Sequence, residues 1–158
     1  MEKFRNIISE FEKSADSTAQ LATVISDEAF LSARKLDHII FKNKVYSSVI
    51  NENVEEEFKD HTQCAFGKWY YSDLSKKFQT VPSFKRIEET HRQFHEVLLD
   101  VVKLIQSGED LLKHKEFVVE KLSKAEDISQ NLFKILDSII VEELESQKDL
   151  NKEGISHA

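Results

Sequence analysis

The sequence has one cysteine (Cys64), one proline (Pro82) and three glycines (Gly67, Gly108 and Gly154) among 158 residues. With a single thiol no intramolecular disulfide can form. So few turn-forming residues give the chain little reason to make hairpins and much reason to make long helices. Positive charge is also short, since 22 Lys and Arg stand against 29 Asp and Glu for a formal charge of −7. Phosphate neutralisation needs clustered cations, so nucleic-acid binding is not expected. No run approaches the ~18 apolar residues that span a bilayer, and Met1-Glu2-Lys3-Phe4-Arg5-Asn6 lacks the apolar core of a secretory signal. These absences predict a cytoplasmic protein with no membrane contact of its own. A Gly-rich phosphate loop and a testable Ser-His-Asp order are missing too, which removes two common routes to catalysis.

What remains is helical periodicity. Phe4, Ile8, Phe11, Ala15, Thr18, Ala22, Ile25 and Ala29 recur in alternating steps of four and three, a heptad seam. Leu31, Leu36, Ile39, Phe41, Val45 and Val49 then widen the apolar surface, so one helix over about 3–50 changes from a coiled-coil-like stalk to a bundle-facing element. Asn51-Glu52-Asn53 marks its end. Phe66, Trp69, Tyr70, Leu74 and Phe78 predict a second helix over about 63–78, and Pro82 is placed to start a third over about 83–106. That third seam holds Ile87, His91, Phe94, Leu98, Val101 and Ile105, and Ser107-Gly108 stops it. A fourth helix over about 109–145 carries Val118, Leu122, Ala125, Leu132, Leu136 and Ile139. The expectation is an all-α protein: an antiparallel four-helix bundle (31–146) with an extended N-terminal helical stalk (1–30) and a flexible tail (147–158).

Several residues carry chemistry. His91 and His95 are four apart on one helix, so their imidazoles project side by side and can grip one metal ion. The alternative reading makes one of them an ordinary core histidine and the other a rim residue. Arg92 follows His91, so the metalloprotease form H-E-x-x-H, with its built-in base, is absent. Cys64 alone is usually a small buried hydrophobe. Here Gly67 permits close backbone approach and Phe66, Trp69 and Tyr70 supply a dry wall, so a thiolate in this place needs a cation, zinc above all. His38 shares a helix face with Leu31, Phe41, Val45 and Val49, and taken alone it reads as a buried histidine. His61 sits three residues before Cys64, but Glu55, Glu56, Glu57 and Asp60 around it fit a solvated ring. His114 and His157 have no partners at ligand spacing. A bundle interior is where helices bring such residues to one point, and His38, Cys64, His91 and His95 together would complete a tetrahedral zinc site.

The string His38, then Cys64-x-Phe66-Gly67-x-Trp69, then His91-x-x-x-His95 resembles the chemoreceptor zinc-binding domain of bacteria. The intervals agree, with twenty-five residues between His38 and Cys64 and twenty-one between Trp69 and His91. The resemblance covers about residues 30–110. Ile40 stands where the family usually has an aromatic residue or Leu two places after the first histidine, a mild change in packing. The resemblance implies a four-helix bundle with zinc on His38, Cys64, His91 and His95. It also implies a cytoplasmic, often dimeric domain attached to chemotaxis receptors or diguanylate cyclases and associated with zinc sensing and response to hypochlorous acid.

Four protein ligands leave no open position for a substrate, so an enzyme is not expected. Zinc keeps a thiolate deprotonated, and the thiolate is the form that oxidants attack, which makes Cys64 the expected redox-reactive residue. Oxidation would loosen the zinc or move a helix. Filling of the site by zinc would tighten the bundle instead. The reading is a zinc-dependent sensory module, partnered by a second copy and by a chemoreceptor or other signalling protein. Its rival is a helical dimerisation module with a purely structural zinc.

Overall fold

The computed structural model describes the backbone of residues 1–155 and the side chains of residues 1–146. The expected flexible tail, 147–158, lies outside the described side chains. Its residues up to Ile155 continue the last helix. The order is α1 (Glu2–Ile50), α2 (Ala65–Tyr70), a 3-10 segment (Asp73–Phe78), α3 (Phe84–Gln106), a second 3-10 turn (Leu111–His114) and α4 (Lys115–Ile155). Among the described residues no strand is formed, and no helix is long and apolar enough to cross a membrane.

Contacts between the elements fix their directions. Arg34 donates to the Ala65 carbonyl, Phe30 packs on Trp69 and Asp27 pairs with Lys77, so α2 and the 3-10 segment descend as α1 ascends. Phe41 meets Phe94 and His95, and Val49 packs with Val101 and Ile105, so α3 ascends beside α1. Lys42–Glu126 and Lys35–Asp137 run α4 down α1, and Lys121–Asp100 runs it down α3. The result is the expected antiparallel bundle, with one of its four arms made of a short α-helix and a 3-10 piece.

The second helix is where the structure departs from the periodicity. A continuous helix over 63–78 would bury Leu74, which instead is 70% exposed. Serine hydroxyls break it. Ser72 donates to the Trp69 carbonyl and accepts from the Leu74 amide, while Ser75 donates to the Tyr70 carbonyl. Such bonds give the backbone partners other than those of an α-helix. The fourth helix likewise begins later than expected, because Asp110 caps a 3-10 turn before α4.

The other boundaries follow the sequence. At the end of α1 the Glu52 amide bonds Val49 and the Asn53 amide bonds Ser48, with Glu52 left-handed at φ 49°. That is the Schellman stop. Ser83, expected to open α3, precedes it, and its amide and hydroxyl both donate to the Glu142 carboxylate of α4.

The predicted α3 seam is buried throughout, from Ile87 to Ile105. One cluster below the site joins Phe66, Trp69, Phe78, Phe84, Ile87 and Leu136, and one above it joins Val45, Phe94, Val97, Leu98 and Ala125. Burying each large apolar side chain contributes about 1.5–3 kcal/mol. By contrast no residue before Asp27 is buried. Phe4, Phe11, Leu21 and Ile25 are each more than 60% exposed, so the first seven turns of α1 show an apolar stripe with nothing upon it.

Candidate metal centre

Three of the four expected ligands converge. The Cys64 sulfur lies 3.4 Å from His91 Nε2. Donor atoms of Cys64, His91 and His95 all fall within 4.8 Å of one another. His91 and His95 are 2% and 1% exposed, and Cys64 is half-buried. α3 supplies the imidazole pair one turn apart, as the i, i+4 spacing requires. Cys64 is the N-cap of α2, where its sulfur accepts the Gly67 amide at 3.2 Å.

His38 stands beside this trio rather than within it. Its ring is 5.5 Å from His91 and 6.3 Å from His95 between centroids, and it lies against Phe94 at 3.6 Å. Its Nε2 is buried without a hydrogen-bond partner. Leaving such an atom unsatisfied costs about 1–3 kcal/mol. An orphaned imidazole nitrogen on a ring 5.5 Å and 6.3 Å from two more imidazoles is the arrangement that a borderline-soft cation repairs. The residues present therefore fit zinc.

The supporting contacts act on ring orientation. His95 Nδ1 is 3.0 Å from the Lys59 carbonyl, which can only accept, so Nδ1 carries the proton and Nε2 keeps its lone pair. Second bonds of this kind fix the tautomer of a ligating histidine. A backbone carbonyl leaves no trace in a sequence, and nothing there could have pointed to Lys59. Gly67 was legible: a Cβ there would stand 1.8 Å from the His61 carbonyl oxygen.

His61 is not the solvated residue its acidic neighbours suggested. Its ring is half-buried and meets His91 nearly edge-on, at 6.0 Å and 85°. The Asp60 carboxylate holds the turn by accepting the Thr62 and Gln63 amides, which carries the His61 ring inward. His114 pairs with Glu109 away from the site, and His157 lies outside the described residues.

Burial, reinforced by His91 and His95, holds His38 well below the usual imidazole range. Burial and neighbouring histidines bring His91 to about 3, and burial brings His95 to about 4. Burial pushes the Cys64 thiol up, against the pull of the Gly67 and Phe66 amides. The metal-free group is thus neutral, which is the protonation state imidazole ligation requires.

A pH dependence follows with a definite sign. Below 6.5 the unfolded chain protonates these imidazoles while the folded chain resists down to about 4 and about 3. Chelator-treated protein should therefore be most stable above 6.5 and lose stability progressively through that window. Thermal melts of metal-free protein across the range check it, and a melting temperature flat from neutral pH down to about 4 would contradict it.

A cavity of about 220 Å³ adjoins the group, lined by Asp37, His38, Phe41, Lys44, Cys64 and His95 among others. It gives small molecules an approach to the sulfur.

An all-α bundle with a buried thiol-imidazole cluster has the donor set of a metal-binding helical protein. Residues 38–102 match the chemoreceptor zinc-binding domain, a span that begins at His38 and ends seven residues past His95. That span is similar to a domain that binds zinc and holds the Cys64, His91 and His95 group, so the cofactor is zinc. No curated protein and no solved structure matches the chain.

Proposed function

We propose that this protein is a zinc-binding regulatory module of bacterial signal transduction, working in the cytoplasm without catalysis of its own. His38, Cys64, His91 and His95 would hold the zinc, and Cys64 would read zinc supply or hypochlorous acid. One observation carries the reading, the thiol packed 3.4 Å from His91 with His95 and the unpartnered His38 around it. Zinc supplies Lewis acidity that keeps Cys64 a thiolate. The remaining chemistry belongs to the side chain. The thiolate takes chlorine from hypochlorous acid with release of hydroxide. Water then displaces chloride from sulfur, leaving a sulfenic acid, so sulfur gives up two electrons and chlorine gains them.

Loss of the thiolate would disturb α2 against α1 and α3, and α1 continues from the site into the exposed stalk. We assign the stripe of Phe4, Ile8, Phe11 and Ile25 to a second copy of the chain, because helices in water draw most of their stability from packing an apolar face and a heptad seam is the pattern that pairs with its like. A chemoreceptor or related signalling protein would take up the output. The buried position of the cluster between two apolar layers also suits a purely structural zinc.

Oxidant separates the two. Purified protein should hold about one zinc per chain, four ligands making one closed site. Hypochlorite should then raise the rate at which a chelator removes that zinc by about tenfold or more, and Cys64→Ser should abolish the response. Zinc bound at full stoichiometry with an oxidant response unchanged in Cys64→Ser would leave only the structural role.

A further inference from the structure

We propose that His61 is a standby ligand, which takes the place of Cys64 on the zinc when the thiolate is lost. The inference rests on the ligand set proposed above and extends it from four residues to five.

The distances place the His61 ring within a short movement of the group. Two imidazoles on one tetrahedral zinc, at the usual Zn–N length, have ring centroids about 5 Å apart. The observed separations from His91 are 4.8 Å for His95, 5.5 Å for His38 and 6.0 Å for His61. His61 thus needs a displacement of about 1 Å to reach the spacing of a ligand. His38 needs about half of that, yet its ring is clamped on Phe94 and fully buried. Cys64, His91 and His95 have donor atoms within 4.8 Å of one another, and the His38 and His61 rings stand next to them.

The fifth donor is tied to the first to leave. His61 and Cys64 are the two ends of one turn, in which the Cys64 amide bonds the Asp60 carbonyl and the Cys64 thiol approaches the His61 carbonyl at 3.6 Å. That same carbonyl lies in the notch left by Gly67. Withdrawal of the sulfur frees the turn at the point where it touches α2, and the His61 ring already faces His91. The zinc-loaded protein then has two coordination states, one with thiolate and one with a fourth imidazole, which differ in how the 60–64 turn sits on α2. An oxidised domain of this kind holds its metal less tightly but, with no competing chelator present, keeps it and changes shape.

A double-mutant cycle in zinc affinity reads the exchange directly, by competition with a chromophoric chelator. His61→Ala should weaken binding at least about tenfold more in the Cys64→Ser background than in the presence of the thiolate. Equal effects in both backgrounds would overturn the proposal. A parallel measurement avoids substituting Cys64. In cobalt-loaded wild-type protein, one equivalent of hypochlorite should remove the thiolate-to-cobalt charge-transfer band and leave the tetrahedral d–d bands. In His61→Ala both should go. Bands that persist equally in His61→Ala, or that collapse in wild type too, would also overturn it. Failure of the underlying ligand set looks different, because unoxidised wild-type protein would then bind no stoichiometric zinc or cobalt.

Discussion

His91→Ala or His95→Ala should weaken zinc binding about 100-fold or more, since a structural four-ligand zinc is worth about 10–16 kcal/mol in all and each ligand carries about a quarter of it. Both side chains leave from the centre of the group rather than its edge. His91 touches the Cys64 sulfur, and its ring also packs on Phe66 at 4.5 Å. His95 is the one whose proton is fixed by Lys59, so its loss frees that carbonyl and the 54–63 segment with it. The two variants should therefore differ in a second readout. His95→Ala should increase amide exchange around Lys59, whereas His91→Ala should not. Competition with a chelator measures the affinities. A loss of less than about threefold in both would remove the pair from the ligand set.

Gly67→Ala should be the most damaging single methyl in the domain. The added Cβ would sit 1.8 Å from the His61 oxygen, 2.8 Å from its carbon and 3.0 Å from the Thr62 Cα, all of them backbone. No side chain can swing away to make room, so the 60–64 turn has to lift off α2. Overpacking of this kind costs about 3 kcal/mol, which for a chain of this size lowers the melting temperature by about 6–12 °C. Zinc affinity should fall with it, by about tenfold or more, because the Cys64 sulfur accepts from the amide of the substituted residue itself. Gly108→Ala is the control. Its φ of 72° strains an alanine, but nothing lies within 4 Å of the new carbon, so its penalty should stay near 1–2 kcal/mol with zinc affinity unaffected.

The sequence made the site visible where chemistry and periodicity coincide. His91 and His95 share the seam that buries Ile87, Phe94 and Leu98, so the helix and the ligand pair come from one pattern. Gly67 next to Cys64 signalled close approach for the same reason, since only an absent side chain permits it. Elsewhere the pattern was silent or misleading. Phe66 to Phe78 keeps helical spacing through Ser72 and Ser75, and periodicity has no means of registering that two hydroxyls bond the backbone. The acidic neighbours of His61 suggest a solvated ring, whereas the Asp60 carboxylate holds the turn on which that ring is half-buried. The Lys59 carbonyl belongs to every residue type alike, so no reading of side chains could single it out. The heptads of α1 predict a stalk over 1–30, and the first buried residue along that helix is Asp27, paired with Lys77.

The scarcity of cysteine acquires a consequence from the 3.4 Å contact. Cys64 and His91 are 27 residues apart in the chain, and an ion held by both closes that stretch into a loop. A covalent bridge over such a length stabilises by about 3–5 kcal/mol, through the conformations it denies the unfolded chain. With zinc held as proposed, the domain would have a removable cross-link, one that reducing agents do not cut and whose making and breaking would follow the supply of a metal and the state of one sulfur atom.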